Sequence, residues 1–200
     1  MNHYFTDNRH LTENRKEISF RFWCFNCRFI TDSGVFSKNA IDYGSRVLLD
    51  AIYHEGKLSG NVLDVGCGYG IIGIVLKKAF QDIDLTMIDV NPRAVQLASE
   101  NVKHNQVEAE VLVSDTYTAL QGKVFRHIVS NPPIRAGKKV VYTILEGAYQ
   151  HLENNGCLWV VIRKQQGALS AKAKLEEVYG NCEIIKKDKG YYILKSVKRD

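Results

Sequence analysis

The sequence has no long run of uncharged apolar residues. No stretch approaches the roughly 20 apolar residues that a membrane-spanning helix requires. The first residues, MNHYFTDNRH, contain no apolar segment of the kind found in signal peptides. The five cysteines are scattered and odd in number. We therefore expect a reduced, cytoplasmic protein with no membrane partner.

The sequence also lacks the ligand set of a closed zinc site. Cys24 and Cys27 have the CxxC spacing of a zinc half-site. A closed site needs a second pair of ligands, and no second CxxC or paired Cys and His follows. We expect the two cysteines to be structural or incidental, and we expect no metal site.

Neither sign of charge dominates strongly. The chain has 200 residues, of which 45% are hydrophobic, and a net charge of +5. The length favours one domain with a sizeable core, with room for an appendage. A basic excess of this size permits a nucleic acid as partner but does not require one.

Apolar strand-like runs alternate with helix-like stretches along most of the chain. The run from Cys157 to Ile162 is uninterrupted, which is typical of a strand covered on both faces. We predict an α/β fold: a doubly wound, mostly parallel seven-stranded sheet whose last strand is antiparallel to its neighbours. The predicted strands are 62–65, 85–88, 109–113, 127–130, 157–162, 183–187 and 191–197. The predicted helices are 41 to near 56, 71–80, 92–104, a short helix or loop after 115, 138–152 (stopped by Asn155-Gly156) and 168–178.

Aromatic and β-branched residues are concentrated between Glu17 and Thr31. Their alternation predicts a β-hairpin with its turn at Phe25-Asn26 and a returning strand from Arg28 to Thr31. We predict that residues 1–33 form an N-terminal extension in which this hairpin caps the main domain, residues 34–200.

The stretch VLDVGCGYG, residues 62–70, predicts a cradle for a nucleotide-type cofactor. Gly66, Gly68 and Gly70 separate an apolar strand from an apolar helix. Such glycines let the backbone turn tightly and lie close to a ligand. The helix N-terminus directs its N–H groups and dipole to the same place. Because Gly73 completes GxGxxG, a dinucleotide remains possible at this point.

Three aspartates lie within or just after the predicted strands near this cradle. Asp64 comes before the glycines and favours a cationic cofactor group, since a carboxylate would repel phosphates. Asp89 ends the second strand, where a carboxylate can accept hydrogen bonds from both ribose hydroxyls. Asp115 follows Ser114 after the third strand and is either an acceptor for an adenine amine or part of an Asx turn.

The fourth strand ends in Asn131-Pro132-Pro133. Two consecutive prolines remove two N–H donors and keep their carbonyl acceptors, and Asn131 adds an amide oxygen. Such an acceptor-rich place suits a planar amino group whose hydrogens need acceptors. Two acceptors can draw this amine towards pyramidal geometry and localise its lone pair for attack on a methyl group.

These motifs resemble a known family. DVGCGYG, Asp89, Ser114-Asp115 and SNPP look like the motifs of class I S-adenosylmethionine (SAM)-dependent methyltransferases. GVFSKNAIDYGSRVLL and NPPIRAGK further resemble the small methyltransferase domain group, which includes ribosomal RNA guanine N2-methyltransferases of the small subunit. The resemblance runs from about Gly34 to the C-terminus and implies a Rossmann-like methyltransferase domain over residues 34–200.

The resemblance implies a role for each matching residue. Asn131 and Pro132 would hold the target amine as catalytic residues. The residues implied to bind SAM are Phe36, Asp42 and Gly44, which would close its pocket, Asp64, Gly66, Gly68 and Gly70 at its methionine part, Asp89 at the ribose, Asp115 at the adenine, and Asn131. The residues implied to bind substrate are Pro133, Ile134, Arg135 and Lys138.

This chain departs from the family pattern after the two prolines. Many related enzymes have Tyr or Phe there to stack on a base, whereas Ile134 offers only an apolar face. Arg135 could stack its guanidinium or bind a phosphate instead. Lys138, Lys139 and Arg163-Lys164 would add positive charge at the pocket rim, where a flipped nucleotide would need it.

We predict an N-methyltransferase that uses SAM on an exocyclic amine, with guanine N2 of ribosomal RNA as the favoured target. Within methyl transfer, the alternatives are a protein glutamine N5 atom and adenine N6 of a nucleic acid. A NAD(P)-dependent oxidoreductase lacks support, because no Tyr-x-x-x-Lys or similar hydride-transfer set is found. A non-catalytic RNA-binding module is the remaining alternative.

Overall fold

The computed structural model describes residues 14–32 and 41–199. An N-terminal pair of strands precedes an alternation of strands and helices. The strands are β1 (Lys16–Phe22), β2 (Phe25–Thr31), β3 (Asn61–Val65), β4 (Asp84–Asp89), β5 (Glu110–Val113), β6 (Phe125–Ser130), β7 (Leu152–Arg163), β8 (Glu183–Asp188) and β9 (Tyr191–Val197). The helices are α1 (Tyr43–Glu55), α2 (Ile71–Ala79), α3 (Pro92–His104), α4 (Lys138–His151) and α5 (Ala168–Tyr179).

Seven strands form one sheet in the order β5-β4-β3-β6-β7-β9-β8. The pairs from β5 through β7 are parallel, and β9 is antiparallel to both β7 and β8. The predicted doubly wound sheet, with its last strand antiparallel, is confirmed. The strand order reverses between β3 and β6, the kind of place at which open α/β sheets bind ligands.

The alternation of apolar segments located most elements to within a few residues. Helix α3 has its predicted bounds, with the Asn91 side chain accepting a hydrogen bond from the N–H of Arg93 at 3.0 Å. After Asp115 the prediction left a short helix and a loop open, and the connection from β5 to β6 contains turns and no helix. One expectation was wrong: Asn155-Gly156 does not stop α4, because that helix already ends at His151 and both residues lie within β7.

Each face of the sheet is covered by its own apolar layer. One layer joins α1, α2, α3 and the N-terminal hairpin, with residues such as Leu48, Ile74 and Phe29 fully buried. The other joins α4 and α5, with residues such as Leu145 and Leu175 fully buried. Among the helices within residues 41–199, none is long and apolar enough to cross a membrane.

The N-terminal hairpin is present, but its turn is not at the predicted position. Trp23-Cys24 forms the turn, and Phe25-Asn26 already belongs to β2, because Phe22 pairs with Phe25. Cys24 is exposed, whereas Cys27 is buried. Among the residues that the structure describes, no group of three or more metal-binding side chains is found.

Candidate active site

A cavity lies at the carboxyl ends of β3, β4 and β6, next to the reversal of strand order. The loops after these strands, the start of α2 and the residues before α1 surround it. Its lining residues include Asp42, Ser45, Gly66, Cys67, Gly68, Tyr69, Ile72, Asp89, Val90, Ala94, Ser114, Asp115, Thr116, Asn131, Pro132, Pro133, Val140 and Ile144.

The glycine loop needs its glycines for backbone conformation. Gly66 and Gly68 have φ angles of 73° and 58°, a left-handed region that L side chains rarely adopt. A Cβ added at either position would meet no atom within 4 Å. Both glycines line the cavity, so this open space is available to a ligand that approaches the backbone closely.

Gly70 and Gly44 lie beside the cavity rather than in its wall. Gly70 is the residue before α2, and a Cβ there would lie 3.0 Å from Ile74 Cδ1 and 3.3 Å from Cβ of Ala98. Gly44 is buried in α1, where a Cβ would lie 2.7 Å from Cε1 of Tyr191. Both glycines therefore permit close packing of elements around the site, and their expected contact with the cofactor stays a prediction.

Asp64 is fully buried beneath the glycine loop and is not one of the cavity-lining residues. Its Oδ2 accepts a hydrogen bond from the N–H of Gly73 at 2.9 Å, which ties β3 to α2. Burial, and secondarily the charge of Asp89, raise the pKa of Asp64 to about 7. A direct contact between Asp64 and the methionine part of SAM stays a prediction.

Asp89 ends β4 inside the cavity and also organises the loop above it. Its Oδ2 accepts from the N–H of Gly68, and its Oδ1 accepts from the N–H of Asn91, each at 2.9 Å. Burial raises the pKa of Asp89, against the opposing effect of these N–H donors. A carboxylate has about four acceptor positions, so both oxygens can accept a further hydrogen bond from a ligand.

The loop after β5 and the residue after Asp89 form another wall of the cavity. Asp115 is exposed and lines it, together with Thr116. Val90 also lines it and keeps 43% of its surface exposed. An apolar side chain beside an exposed carboxylate offers a flat face and an acceptor to a heterocyclic ring.

Asn131 is oriented by two side chains of the α1 N-terminus. Its Nδ2 donates to Oδ2 of Asp42 and to Oγ of Ser45, each at 2.9 Å. Asp42 is itself held as the N-cap of α1, where it accepts from the N–H of Ser45 at 3.0 Å. Both amide hydrogens of Asn131 are thus used within the protein. Its Oδ1 is the atom left to act on a ligand, and it can only accept.

The residues after Asn131 divide into three groups. Pro132 and Pro133 line the cavity and contribute carbonyls without N–H groups. Ile134 is partly buried against the apolar layer of α4 and α5. Arg135 and Lys138 are exposed beside the cavity, in the turn Ile134–Ala136 and at the start of α4.

Sequence reasoning placed most polar residues of the cavity and missed many of its apolar ones. Phe36 lies outside the described residues. Tyr69, Val90, Ala94 and Val140 were not predicted, because an apolar residue in a loop or on a helix gives no signal that distinguishes a cavity wall from the core. Val90 had the best available signal, because it directly follows a carboxylate at a strand end.

A doubly wound sheet with a glycine loop, and an acidic residue ending the neighbouring strand, defines a Rossmann-like fold of the methyltransferase type. The chain belongs to the methyltransferase small domain family, whose model matches residues 26–195.

Individual relatives agree with this assignment. The chain is 45% identical over 198 residues to "Uncharacterized protein YbxB" of Bacillus subtilis (strain 168), and the match covers 98% of each. It is 38% identical over 159 residues to "Ribosomal RNA small subunit methyltransferase C" of Aeromonas hydrophila, covering 78% of this chain and 44% of that protein. The chain thus spans about half the length of the rRNA methyltransferases it matches.

A solved structure extends the likeness to the fold. A T. thermophilus 16S rRNA N2 methyltransferase (RsmC), solved in complex with AdoMet and guanosine, superposes with a TM-score of 0.85 at 26% identity. The match covers 92% of this chain and 51% of that chain. Family and fold together identify SAM as the cofactor.

The cavity itself fits that cofactor. Asp89 and Asp115 provide carboxylates for a ligand that carries positive charge and hydroxyl and amino donors. Gly66 and Gly68 leave open space against the backbone, and Val90 offers an apolar face. These features are the ones that the sulfonium, ribose, methionine and adenine parts of SAM require.

Proposed function

We propose that this chain transfers a methyl group from SAM to an exocyclic amine, and that the amine is N2 of a guanine in ribosomal RNA. The observation that carries the proposal is the orientation of Asn131. Because Asp42 and Ser45 accept both of its amide hydrogens, Oδ1 is directed to accept from a target amine.

The glycine loop and the strand ends would hold the cofactor. Gly66 and Gly68 would let the backbone approach its methionine part, Asp89 would accept from the ribose hydroxyls, and Asp115 would accept from the adenine amine. When bound, SAM supplies an electrophilic methyl group. The chain's own task is then to present a nucleophile beside it.

Asn131 Oδ1 and the Pro132 carbonyl would accept the two hydrogens of the target amine. An amine conjugated with a ring is a poor nucleophile, because its lone pair is delocalised. Two fixed acceptors favour a pyramidal nitrogen with a localised lone pair, and their fixed positions lower the barrier without a strong base. The same two groups would serve guanine N2, adenine N6 or a glutamine amide, so they do not choose among these substrates.

The choice of RNA rests on charge and on the relatives. Arg135, Lys138 and Lys139 are exposed directly after the Asn-Pro-Pro motif. Within residues 14–32 and 41–199, none of the three is paired with a carboxylate. Cations that have no carboxylate partner and follow the motif that would hold the target amine are suited to the phosphates that flank the target base. Relatives such as the Aeromonas protein are named as ribosomal RNA methyltransferases.

The proposal is tested by supplying labelled SAM to the purified protein with total RNA and ribosomal subunits from cells that lack the gene. We expect label in N2-methylguanosine after digestion to nucleosides. Asn131→Ala should lower the rate by about 100-fold or more, the scale seen when one fixed polar group is lost from an active site. Asn61→Ala, at the exposed amino end of β3, is the control and should leave the rate unchanged.

The same experiment separates the alternatives. Label in N6-methyladenosine, or in glutamine of an added protein fraction, would replace guanine as the target and leave the Asn131 chemistry standing. Absence of transfer to any fraction, with SAM bound, would favour a non-catalytic RNA-binding module. Binding of NAD(P) without SAM would support an oxidoreductase and contradict the proposal.

A further inference from the structure

Two tyrosines lie near Asn131 on elements other than the one that carries Ile134. Ile134 is turned against the layer of α4 and α5 and cannot stack on a base. At the same carboxyl edge of the sheet, Tyr43 begins α1 and Tyr191 begins β9. Their ring centroids lie 5.7 Å apart at an interplanar angle of 48°.

Each of these tyrosines carries a cation over its ring. Arg163, the last residue of β7, places Cζ 5.1 Å from the centroid of Tyr191. Lys189, in the β8–β9 turn, places Nζ 4.8 Å from the centroid of Tyr43. We call these four residues the tyrosine–cation cluster. Stacking on Tyr191 orders the planar guanidinium of Arg163, which is otherwise exposed to solvent.

Gly44 brings this cluster next to Asn131. A Cβ on Gly44 would lie 2.7 Å from Cε1 of Tyr191 and 2.9 Å from Oδ2 of Asp42, so only glycine lets the ring and the carboxylate come this close. Asp42 Oδ2 also accepts from Asn131. Burial and the charge of Asp42 raise the pKa of Tyr191.

The cations of the cluster form no ion pair with a carboxylate in the described parts of the chain. Arg163, Lys164 and Lys189 are exposed there, and no carboxylate forms an ion pair with any of them. By contrast, Lys195 on the same β9 strand is paired with Glu55 at 2.9 Å. Positive charge combined with aromatic rings is the surface that single-stranded nucleic acid recognises, through phosphates and bases respectively.

We infer that the tyrosine–cation cluster binds the RNA strand next to the target base. This inference rests on the proposed function for its RNA ligand. Arg163 and Lys189 contact phosphates or stack on a flanking base, and the tyrosines hold them in position. The cluster thereby sets affinity for RNA, without contact to the SAM cavity.

The same β8–β9 hairpin provides a matched control. Lys187 lies over the ring of Tyr192, with Nζ 5.1 Å from the centroid. Tyr192 is packed against the layer of α4 and α5, whereas Tyr191 is packed against the layer of α1. Tyr191 and Tyr192 are therefore adjacent in sequence, and each has a cation over its ring. They lie on opposite faces of the sheet.

The test measures binding of a fluorescently labelled pool of short, random single-stranded RNA at several salt concentrations. Arg163→Ala should weaken binding by about 10-fold and reduce the slope against log salt by about 1. Tyr191→Ala should also weaken it, whereas Tyr191→Phe, which keeps the ring, should not. Lys187→Ala and Tyr192→Ala change the opposite face of the sheet and should bind RNA within about twofold of wild type. SAM affinity, measured by calorimetry, should be unchanged in Arg163→Ala.

Equal RNA affinities of Arg163→Ala and Lys187→Ala would overturn the inference, and so would a wild-type protein that does not bind RNA at all. Because Arg163 is exposed, its variant tests the cluster even if Tyr191→Ala folds poorly. Methyl transfer is scored separately. A protein that binds RNA through the cluster but methylates none would support this inference and contradict the proposed function. An Arg163→Ala variant that binds and methylates RNA as well as wild type would support the proposed function and contradict this inference.

Discussion

Asn101 on α3 holds Tyr69 of the glycine loop and Ile30 of the N-terminal hairpin at the same time. Its Nδ2 donates to the carbonyl oxygens of Tyr69 and Ile30, each at 2.9 Å, and its Oδ1 accepts from the N–H of Ile30 at 2.7 Å. The side chain is fully buried. The hairpin is therefore linked to the cofactor loop through one amide, and the rings of Phe29 and Tyr69 add an edge contact, 5.8 Å between centroids.

Asn101→Ala should destabilise the protein and weaken SAM binding together. The variant leaves buried backbone groups of Ile30 and Tyr69 without their Asn101 partner. This loss should lower the free energy of unfolding by about 3 kcal/mol. Release of the Tyr69 carbonyl should also loosen the loop that carries Gly66 and Gly68. Urea unfolding and calorimetric titration with SAM measure the two effects.

Asn105→Ala is the matched control for that prediction. Asn105 uses its side chain in the same way on β2, since Nδ2 donates to the Arg28 carbonyl at 2.6 Å and Oδ1 accepts from the N–H of Arg28 at 3.2 Å. It does not reach the glycine loop. We expect a loss of stability with little change in SAM affinity, and equal SAM affinities of the two variants would show that Asn101 does not position the loop.

Gly73→Ala should destabilise the junction of α2 with the sheet. A Cβ there would lie 2.6 Å from Sδ and 2.9 Å from Cγ of Met87, which is fully buried. Overpacking should lower the free energy of unfolding by about 2 kcal/mol, which exceeds the gain from the higher helix propensity of alanine. Met87→Ala in the same chain should relieve the clash. Additive effects in a double-mutant cycle of unfolding free energies would contradict this origin.

Asp64 should make the protein less stable as pH rises from about 4 to about 7. Burial raises its pKa from 3.8 to about 7 in the folded protein, so over this interval the native state keeps a proton that the unfolded state has lost. The free energy of unfolding attributable to Asp64 therefore falls by up to about 1.4 kcal/mol per pH unit and levels off above pH 7.

Asp64→Asn isolates this effect, because the neutral amide can still accept from the N–H of Gly73. The stability of the variant relative to wild type should increase between about pH 4 and about pH 7 and then remain constant. Urea unfolding across this range gives the difference. A difference that does not change with pH would mean that Asp64 ionises in the folded protein at its ordinary pKa.

Much of the fold was predictable because its signals are local. The periodicity of apolar residues, an Asn-Pro helix start and Gly-rich turns depend on a few neighbouring residues, and they located α3 and the central strands. The hairpin turn was misplaced because Asn26 is of a residue type common in turns, whereas the strand register pairs Phe22 with Phe25 and puts Trp23-Cys24 in the turn.

Local sequence was enough to predict the cradle at VLDVGCGYG, the acceptor motif at Asn131-Pro132-Pro133 and the strand-end position of Asp89. Glycine conformations, missing proline N–H groups and strand ends are properties of the local chain. Three further relationships depend on how the elements pack: Asp64 lies beneath the cradle, Asp42 and Ser45 orient Asn131, and Tyr191 with Arg163 lies beside them. The last two relationships join residues far apart in the chain, and packing of α1 against β7 and β9 brings them together.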